Sequence, residues 1–337
     1  MRRMRFSTKP NFFMSLRKVF SRFFLTSAIV LAWTPGAHAV WKGTEVISPT
    51  RAVPVIFQEK ELYCASGWLY SSRIVFTAAH VLYFGNDMTN NYTTVRNKIW
   101  FGLPGSTVDY GMKLVESEKI FVPDNFVGRD AFRGGNFLTR QNDFGVVVLK
   151  EPIQIDDKPV EFLTEAMHDQ FISDKESIEF TGYGLQGPND TNTCFKRKPM
   201  KTSMKIASKT IDASPFKFTT TLNFQVAPNE SNLCDGDSGS GYVKDYGDKY
   251  LYLAANGAGS FMNHNCETWK EAIGSTTYNG ADPVYKYMDL IKQAEEYVKA
   301  NPYVAPVIKK SIKCFKGKKV ITVKTESPSC PKGYKQK

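Results

Sequence analysis

From residue 53 to residue 149 the chain repeats one pattern: a short β-branched or aromatic run, then a cluster of Gly, Asn, Asp or Pro. The runs fall at 53–57, 67–70, 73–78, 98–101, 119–122 and 144–149. Runs of this length between turn-formers predict strands, and a series of them predicts an all-β protein. Residues 84–97 are rich in Asn, Asp and Thr and read as a solvated loop. Residues 123–141, with Arg129, Arg133 and Arg140 among glycines, read as an inserted surface loop. One helix is clear near the C-terminus. Tyr287, Ile291, Ala294 and Val298 recur at helical spacing, and Asn301-Pro302 ends it.

The chemistry is concentrated in Asn232-Leu233-Cys234-Asp235-Gly236-Asp237-Ser238-Gly239-Ser240-Gly241. A serine between glycines has a backbone that can turn tightly and bring N–H groups close to a bound carbonyl. Serine is a weak nucleophile and needs a base. Four histidines are available: His38, His80, His168 and His264. His38 lies in an expected leader. His80 ends Ile74-Val75-Phe76-Thr77-Ala78-Ala79-His80, where small residues at a strand end leave room for an imidazole. His168 and His264 lack that setting. Asp143, at the head of the apolar run 144–149, would be buried and in need of a hydrogen-bond partner, so it is the expected orienting carboxylate.

Thr77-Ala78-Ala79-His80, Asn142-Asp143 with its apolar run, and Gly236-Asp237-Ser238-Gly239 resemble the three signature segments of the chymotrypsin/trypsin-like serine proteases. They stand in that family's chain order, with spacings of 63 and 95 residues. The resemblance covers roughly residues 40–300. Other serine hydrolases fit less well. The elbow of the α/β-hydrolases has Gly-x-Ser-x-Gly, but Ser240 stands at its last glycine, and those enzymes place the histidine last. Gly-Asp-Ser lipases carry that motif near the N-terminus, whereas here it is near the C-terminus.

The resemblance implies two antiparallel six-stranded β-barrels, about 40–160 and 161–302, closed by a C-terminal α-helix. It implies a Ser238-His80-Asp143 triad, and an oxyanion hole from the backbone N–H groups of Gly236 and Ser238. Asn232 falls at the substrate-pocket floor, where trypsin-like members carry Asp. Phe180-Thr181-Gly182-Tyr183-Gly184 resembles the strand that opens the second half, and Pro283-Val284-Tyr285 the segment behind the pocket. The basic stretch 196–205 reads as a solvated strand edge. The family sometimes binds calcium near 84–97, but no alternating carboxylate pattern is present there. No metal or cofactor is expected. Cys234 and Cys266 match the bridge beside the pocket, and Cys64 stands at a family cysteine position. Its usual partner directly follows the catalytic histidine, where this chain has Val81, so the resemblance leaves Cys194 as its partner, with two unpaired thiols as the alternative. Cys314 and Cys330 are expected to pair with each other across the tail.

Residues 1–39 read as a signal peptide. Seven basic residues and no acid precede the apolar run 23–33, Thr34-Pro35-Gly36 breaks it, and Ala37-His38-Ala39 is an A-x-A cleavage site. As a membrane anchor the run is about half the ~20 residues a span requires. Met4 and Met14 are alternative starts. Cleavage after Ala39 would expose Val40-Trp41-Lys42-Gly43-Thr44-Glu45, which resembles the mature start of the family. That implies an activating ion pair between the Val40 amine and Asp237. Trp41-Lys42 departs from the family's Val-Gly.

Residues 303–337 form a basic, Cys-containing tail, similar to short tails on exported bacterial proteins. Leader and tail carry +7 and +9 of the net +11, leaving about −5 for residues 40–302. Basicity is therefore not a property of the catalytic region, and no nucleic-acid partner is expected. Together these readings predict a secreted, extracellular or envelope-associated bacterial endopeptidase that acts as a monomer on protein or peptide substrates. The tail is a candidate contact for anionic cell-envelope polymer. The alternative is a non-catalytic, protease-like binding module held at the envelope by that tail.

Overall fold

The computed structural model describes residues 40, 43–46, 50–58, 62–84, 94–126, 142–185, 195–206, 210–213, 216–219, 222–226, 231, 233–261, 277–307 and 309–336. Six strands form a closed barrel: β1 (Ala52–Gln58), β2 (Leu62–Ser71), β3 (Ile74–Thr77), β4 (Trp100–Phe101), β5 (Val115–Phe121) and β6 (Gly145–Leu149). Around the ring the order is β1-β2-β3-β6-β5-β4. Each of the six expected runs lies in or overlaps one of these strands. The expectation was short at β2, which continues backwards through Cys64-Ala65-Ser66, small residues that carry little strand signal.

The second half repeats the plan. Six strands of its nine-stranded sheet form the matching set: β7 (Ser177–Gly182), β8 (Met200–Ile206), β9 (Leu222–Val226), β10 (Gly241–Asp245), β11 (Tyr250–Ala255) and β12 (Thr277–Ala281), with Val160–Phe162 added beside β11 and Ala258–Phe261 beside β12. The pairings run β8 with β7 and β9, β9 with β12, and β10 with β7 and β11. A single bridge, Ala254 to Pro283 just past β12, closes the ring. The order β7-β8-β9-β12-β11-β10 matches that of the first barrel. The segment Thr44–Glu45 adds to β8, with Thr44 opposite Lys201.

Aromatic side chains fill the seam between the barrels. Phe76 on β3 packs 4.9 Å from Tyr252 on β11, Trp68 on β2 lies 5.0 Å from the same ring, and Phe144 lies 5.4 Å from Phe76. Aromatic pairs at such separations contribute about 0.5–1.5 kcal/mol beyond the area they bury. Buried Arg51 ties the connection between the barrels to β2. It pairs with Asp156 at 2.6 Å and donates to the Tyr70 and Lys158 carbonyls.

Helices are few among the described residues. α1 (Ala79–Leu82) is one turn at the end of β3. α2 (Glu165–Asp174) was not foreseen, although Thr164 caps it by accepting the Met167 N–H. It buries His168, whose Nδ1 lies 3.3 Å from the Tyr285 hydroxyl, so this histidine is a packing residue rather than a base. α3 (Met288–Ala300) is the expected C-terminal helix, and it buries Ile291 and Ala294. The Pro283-Val284-Tyr285 segment enters it as a 3-10 turn, Val284–Tyr287. No helix among the described residues is long and apolar enough to cross a membrane.

The tail is a three-stranded sheet of β13 (Lys310–Lys316), β14 (Lys319–Thr325) and β15 (Lys335–Gln336), stapled by the expected Cys314–Cys330 disulfide. Cys64 and Cys234 are also disulfide-bonded. Their expected partners, Cys194 and Cys266, lie outside the described residues.

Candidate active site

Antiparallel register places His80 beside Asp143. Thr77 of β3 pairs with Gly145 of β6, so the chain leaving β3 and the chain entering β6 meet at one end of the barrel. Three residues beyond Thr77 is His80, and two before Gly145 is Asp143. The Asp143 Oδ2 lies 2.7 Å from His80 Nδ1, and Oδ1 accepts the His80 backbone N–H at 2.8 Å. Asp143 is 3% exposed. Both its oxygens therefore serve the same residue, which fixes the ring's position and the Nδ1–H tautomer. The alanines before His80 are fully buried, as the strand-end reading requires.

The serine loop is held from both barrels. Gly236 (φ 95°) and Gly239 (φ 85°) both occupy backbone conformations that L side chains avoid. Ser66 of β2 donates its N–H to the Ser238 carbonyl at 2.8 Å and its hydroxyl to the Gly236 carbonyl at 2.8 Å. The same hydroxyl accepts the Tyr183 N–H at 2.9 Å. Just past β11, the Asn256 carbonyl accepts the Gly239 N–H at 2.7 Å and its side-chain amide donates to the Asp237 carbonyl at 3.3 Å. Gly239 lies directly against the corner that carries His80, since a Cβ there would stand 2.8 Å from the Ala78 nitrogen. The structure thus joins His80 to Asp143 by direct hydrogen bonds and packs the Ser238 loop against their corner.

Asp237 is fully buried under this loop. Its carboxylate accepts the Gly184 N–H at 2.8 Å and the Cys234 N–H at 2.9 Å. Burial pushes its carboxyl up to about 7, against the pull of those two N–H groups and of the Arg197 guanidinium. Glycine is required at 182 and 184, because a Cβ at either would collide with that carboxylate. Arg197 corrects the reading of 196–205 as wholly solvated. Its side chain is buried, donates to the Tyr183 carbonyl at 3.2 Å and packs against Gly236. Arg197 stands just before β8, and composition alone conceals which residue of a basic stretch turns inward.

The family model for trypsin matches residues 42–291. The chain belongs to the trypsin family. No curated protein matches it. In this trypsin-family chain the loop that carries Gly236, Asp237 and Ser238 packs at Gly239 against the segment that leads to the His80–Asp143 pair, and Asn232 and His264 lie outside the described residues. Sequence reasoning missed Ser66 and Asn256, and read Asp282 only as an acid that could attract cations. The last accepts the Asp143 backbone N–H through Oδ2 at 3.3 Å. The available signals were a small polar residue inside an apolar strand, a polar residue ending the apolar run 250–255, and an acid just before Pro283.

Proposed function

We propose that this protein is a secreted serine endopeptidase that cleaves peptide bonds through an acyl-enzyme. The observation that carries the reading is the buried His80–Asp143 pair against the glycine-bounded serine loop. His80 takes the Ser238 proton as the hydroxyl attacks the carbonyl, and Asp143 stabilises the imidazolium that forms. The N–H groups of Gly236 and Ser238 receive the developing oxyanion, each such donor being worth about 3–4 kcal/mol in the transition state. His80 then protonates the leaving amine, and water repeats the cycle on the ester. Asn232, which the family resemblance puts at the pocket floor, is a neutral amide and disfavours selection for Arg or Lys. The substrates are proteins or peptides, taken by a monomer.

Activation follows leader removal. Val40 is fully buried and Thr44–Glu45 adds to β8, the strand paired with β7. The β7 residue Gly182 adjoins the Asp237 carboxylate. A carboxyl raised by burial is one that a cation stabilises, and the Val40 amine would supply that charge after cleavage at Ala39. In fluorophosphonate labelling near pH 8, the wild-type protein should be labelled, the labelled species should begin at Val40, and Ser238→Ala should be blank. Absence of labelling in folded protein that begins at Val40 would sink the enzyme and favour the protease-like binding module.

The tail is proposed to hold the enzyme to anionic cell-envelope polymer. Pairing puts exposed Lys313, Lys324 and Lys335 on one sheet face around Phe315, and exposed Lys310, Lys316 and Lys319 at the ends of the other, which also carries Ile312, Cys314, Ile321 and Val323. A small sheet with exposed lysines on both faces attracts a polyanion and releases it as salt rises. Deleting residues 303–337 should abolish envelope retention at low salt and leave peptidase activity intact. Unchanged retention would rule out adhesion through the tail.

A further inference from the structure

The turn that leads into α3 reaches Asp143 from behind. Asp282 directly follows β12, and its neighbour Pro283 makes the bridge that closes the second barrel. While Oδ2 of Asp282 accepts the Asp143 N–H, Oδ1 takes the Lys286 ammonium at 3.2 Å. The Asp282 side chain is only 10% exposed. Tyr287 stacks on Phe144, the residue after Asp143, with ring centroids 4.8 Å and planes 10° apart. Burial first, then the carboxylates of Asp282 and Asp143, raise the Tyr287 hydroxyl well above its ordinary range, which places both acids near one ring.

A second carboxylate beside Asp143 is an electrostatic liability, because like charges disfavour the ionised form that must face His80. Lys286 offsets that charge. What remains is a fixed acceptor for a backbone N–H at a buried residue, and removing such an acceptor costs about 1–3 kcal/mol.

We propose that Asp282 is a positioning residue for the reaction: neutralised by Lys286, it clamps the backbone of Asp143 to the start of α3 and so sets the angle at which Asp143 meets His80. The proposal rests on the serine protease reading. It ties the last barrel closure and the C-terminal helix to the geometry of the base, so the triad is completed only when the second barrel has closed.

The test compares two side chains of similar shape. Asp282→Asn keeps an acceptor and Asp282→Leu removes it. The asparagine variant should hold kcat within about threefold of wild type, while the leucine variant should lose about tenfold or more in kcat with KM little changed, as misplacement of a catalytic group does. A second measurement needs no turnover. On a Ser238→Ala background, the low-field proton on His80 Nδ1 should persist in the asparagine variant and broaden by exchange in the leucine one. Equal losses of kcat in both variants, or a His80 proton indifferent to leucine, would overturn the positioning role. If the wild type turns over no peptide, the protease reading fails, and the proton comparison still decides the role of Asp282. Should Asp282→Leu not fold, Asp282→Ala replaces it in both measurements.

Discussion

Asp143→Asn should lower kcat by about 10⁴-fold with KM nearly unchanged. The two oxygens of Asp143 accept from two donors on one residue, the His80 N–H and the His80 Nδ1–H. An amide has one oxygen to offer. If that oxygen keeps the backbone N–H, the amide NH2 faces Nδ1. The imidazole must then present a lone pair there and carry its proton on Nε2, where it can no longer accept from Ser238. If the amide flips, the NH2 meets the backbone N–H and two donors oppose each other in a buried site. Either arrangement removes the base while leaving the shape of the side chain intact. Steady-state kinetics with circular dichroism on the same preparation would check this. A folded variant that kept more than a hundredth of the wild-type kcat would show that Asp143 does not set the tautomer of His80. Asp282 provides the contrast. Its two oxygens face one N–H and one ammonium at the solvent-facing end, so the same substitution there should be mild.

Much of this site is legible along the chain because its residues sit at strand ends. Thr77-Ala78-Ala79-His80 and Asn142-Asp143 each continue an apolar run, and β3 pairing with β6 brings the two runs into register at the ends where His80 and Asp143 stand. The C-terminal helix is legible for a similar reason, since a long stretch of regular spacing is a strong local signal. α2 is not, because among its ten residues only His168 and Phe171 are buried, too few to draw an apolar stripe. Contacts between distant segments were also invisible. Ser66 serves a loop about 170 residues away, and Asp282 serves a backbone N–H 139 residues away. Neither residue type is unusual in its own neighbourhood. Their roles come from register and barrel closure, which a linear pattern does not contain. The inward turn of Arg197 in a basic stretch belongs to the same class.

Gly239→Ala should be the most damaging single-methyl change among the described glycines. The residue has φ 85°, so a Cβ costs about 1–2 kcal/mol in backbone strain alone. The added carbon would also fall on the Thr77 hydroxyl and the Ser66 carbonyl, and within 2.8 Å of the Ala78 nitrogen. Two of these are backbone atoms of the first barrel, fixed by the β2–β3 ladder, and Thr77 is itself bonded to the Ser66 carbonyl at 2.9 Å. None is the free end of a flexible chain, so the serine loop has to retreat, adding about 1–3 kcal/mol of overpacking. Retreat breaks the Ser66 bonds to Ser238 and Gly236 and carries the nucleophile away from His80. A loss of about 3 kcal/mol corresponds to a fall in Tm of roughly 6–12 °C for a domain of this size. A shift of this kind in the nucleophile should lower kcat by about a hundredfold or more. Gly247→Ala is the matching control. Its φ is 90°, but nothing lies within 4 Å of its missing Cβ. It should show only the backbone strain and full activity. If the two variants melt alike and turn over alike, the contact between the serine loop and the first barrel does not hold the nucleophile in place. If only Gly239→Ala loses both stability and rate, one close approach between the barrels supports the fold and the chemistry together.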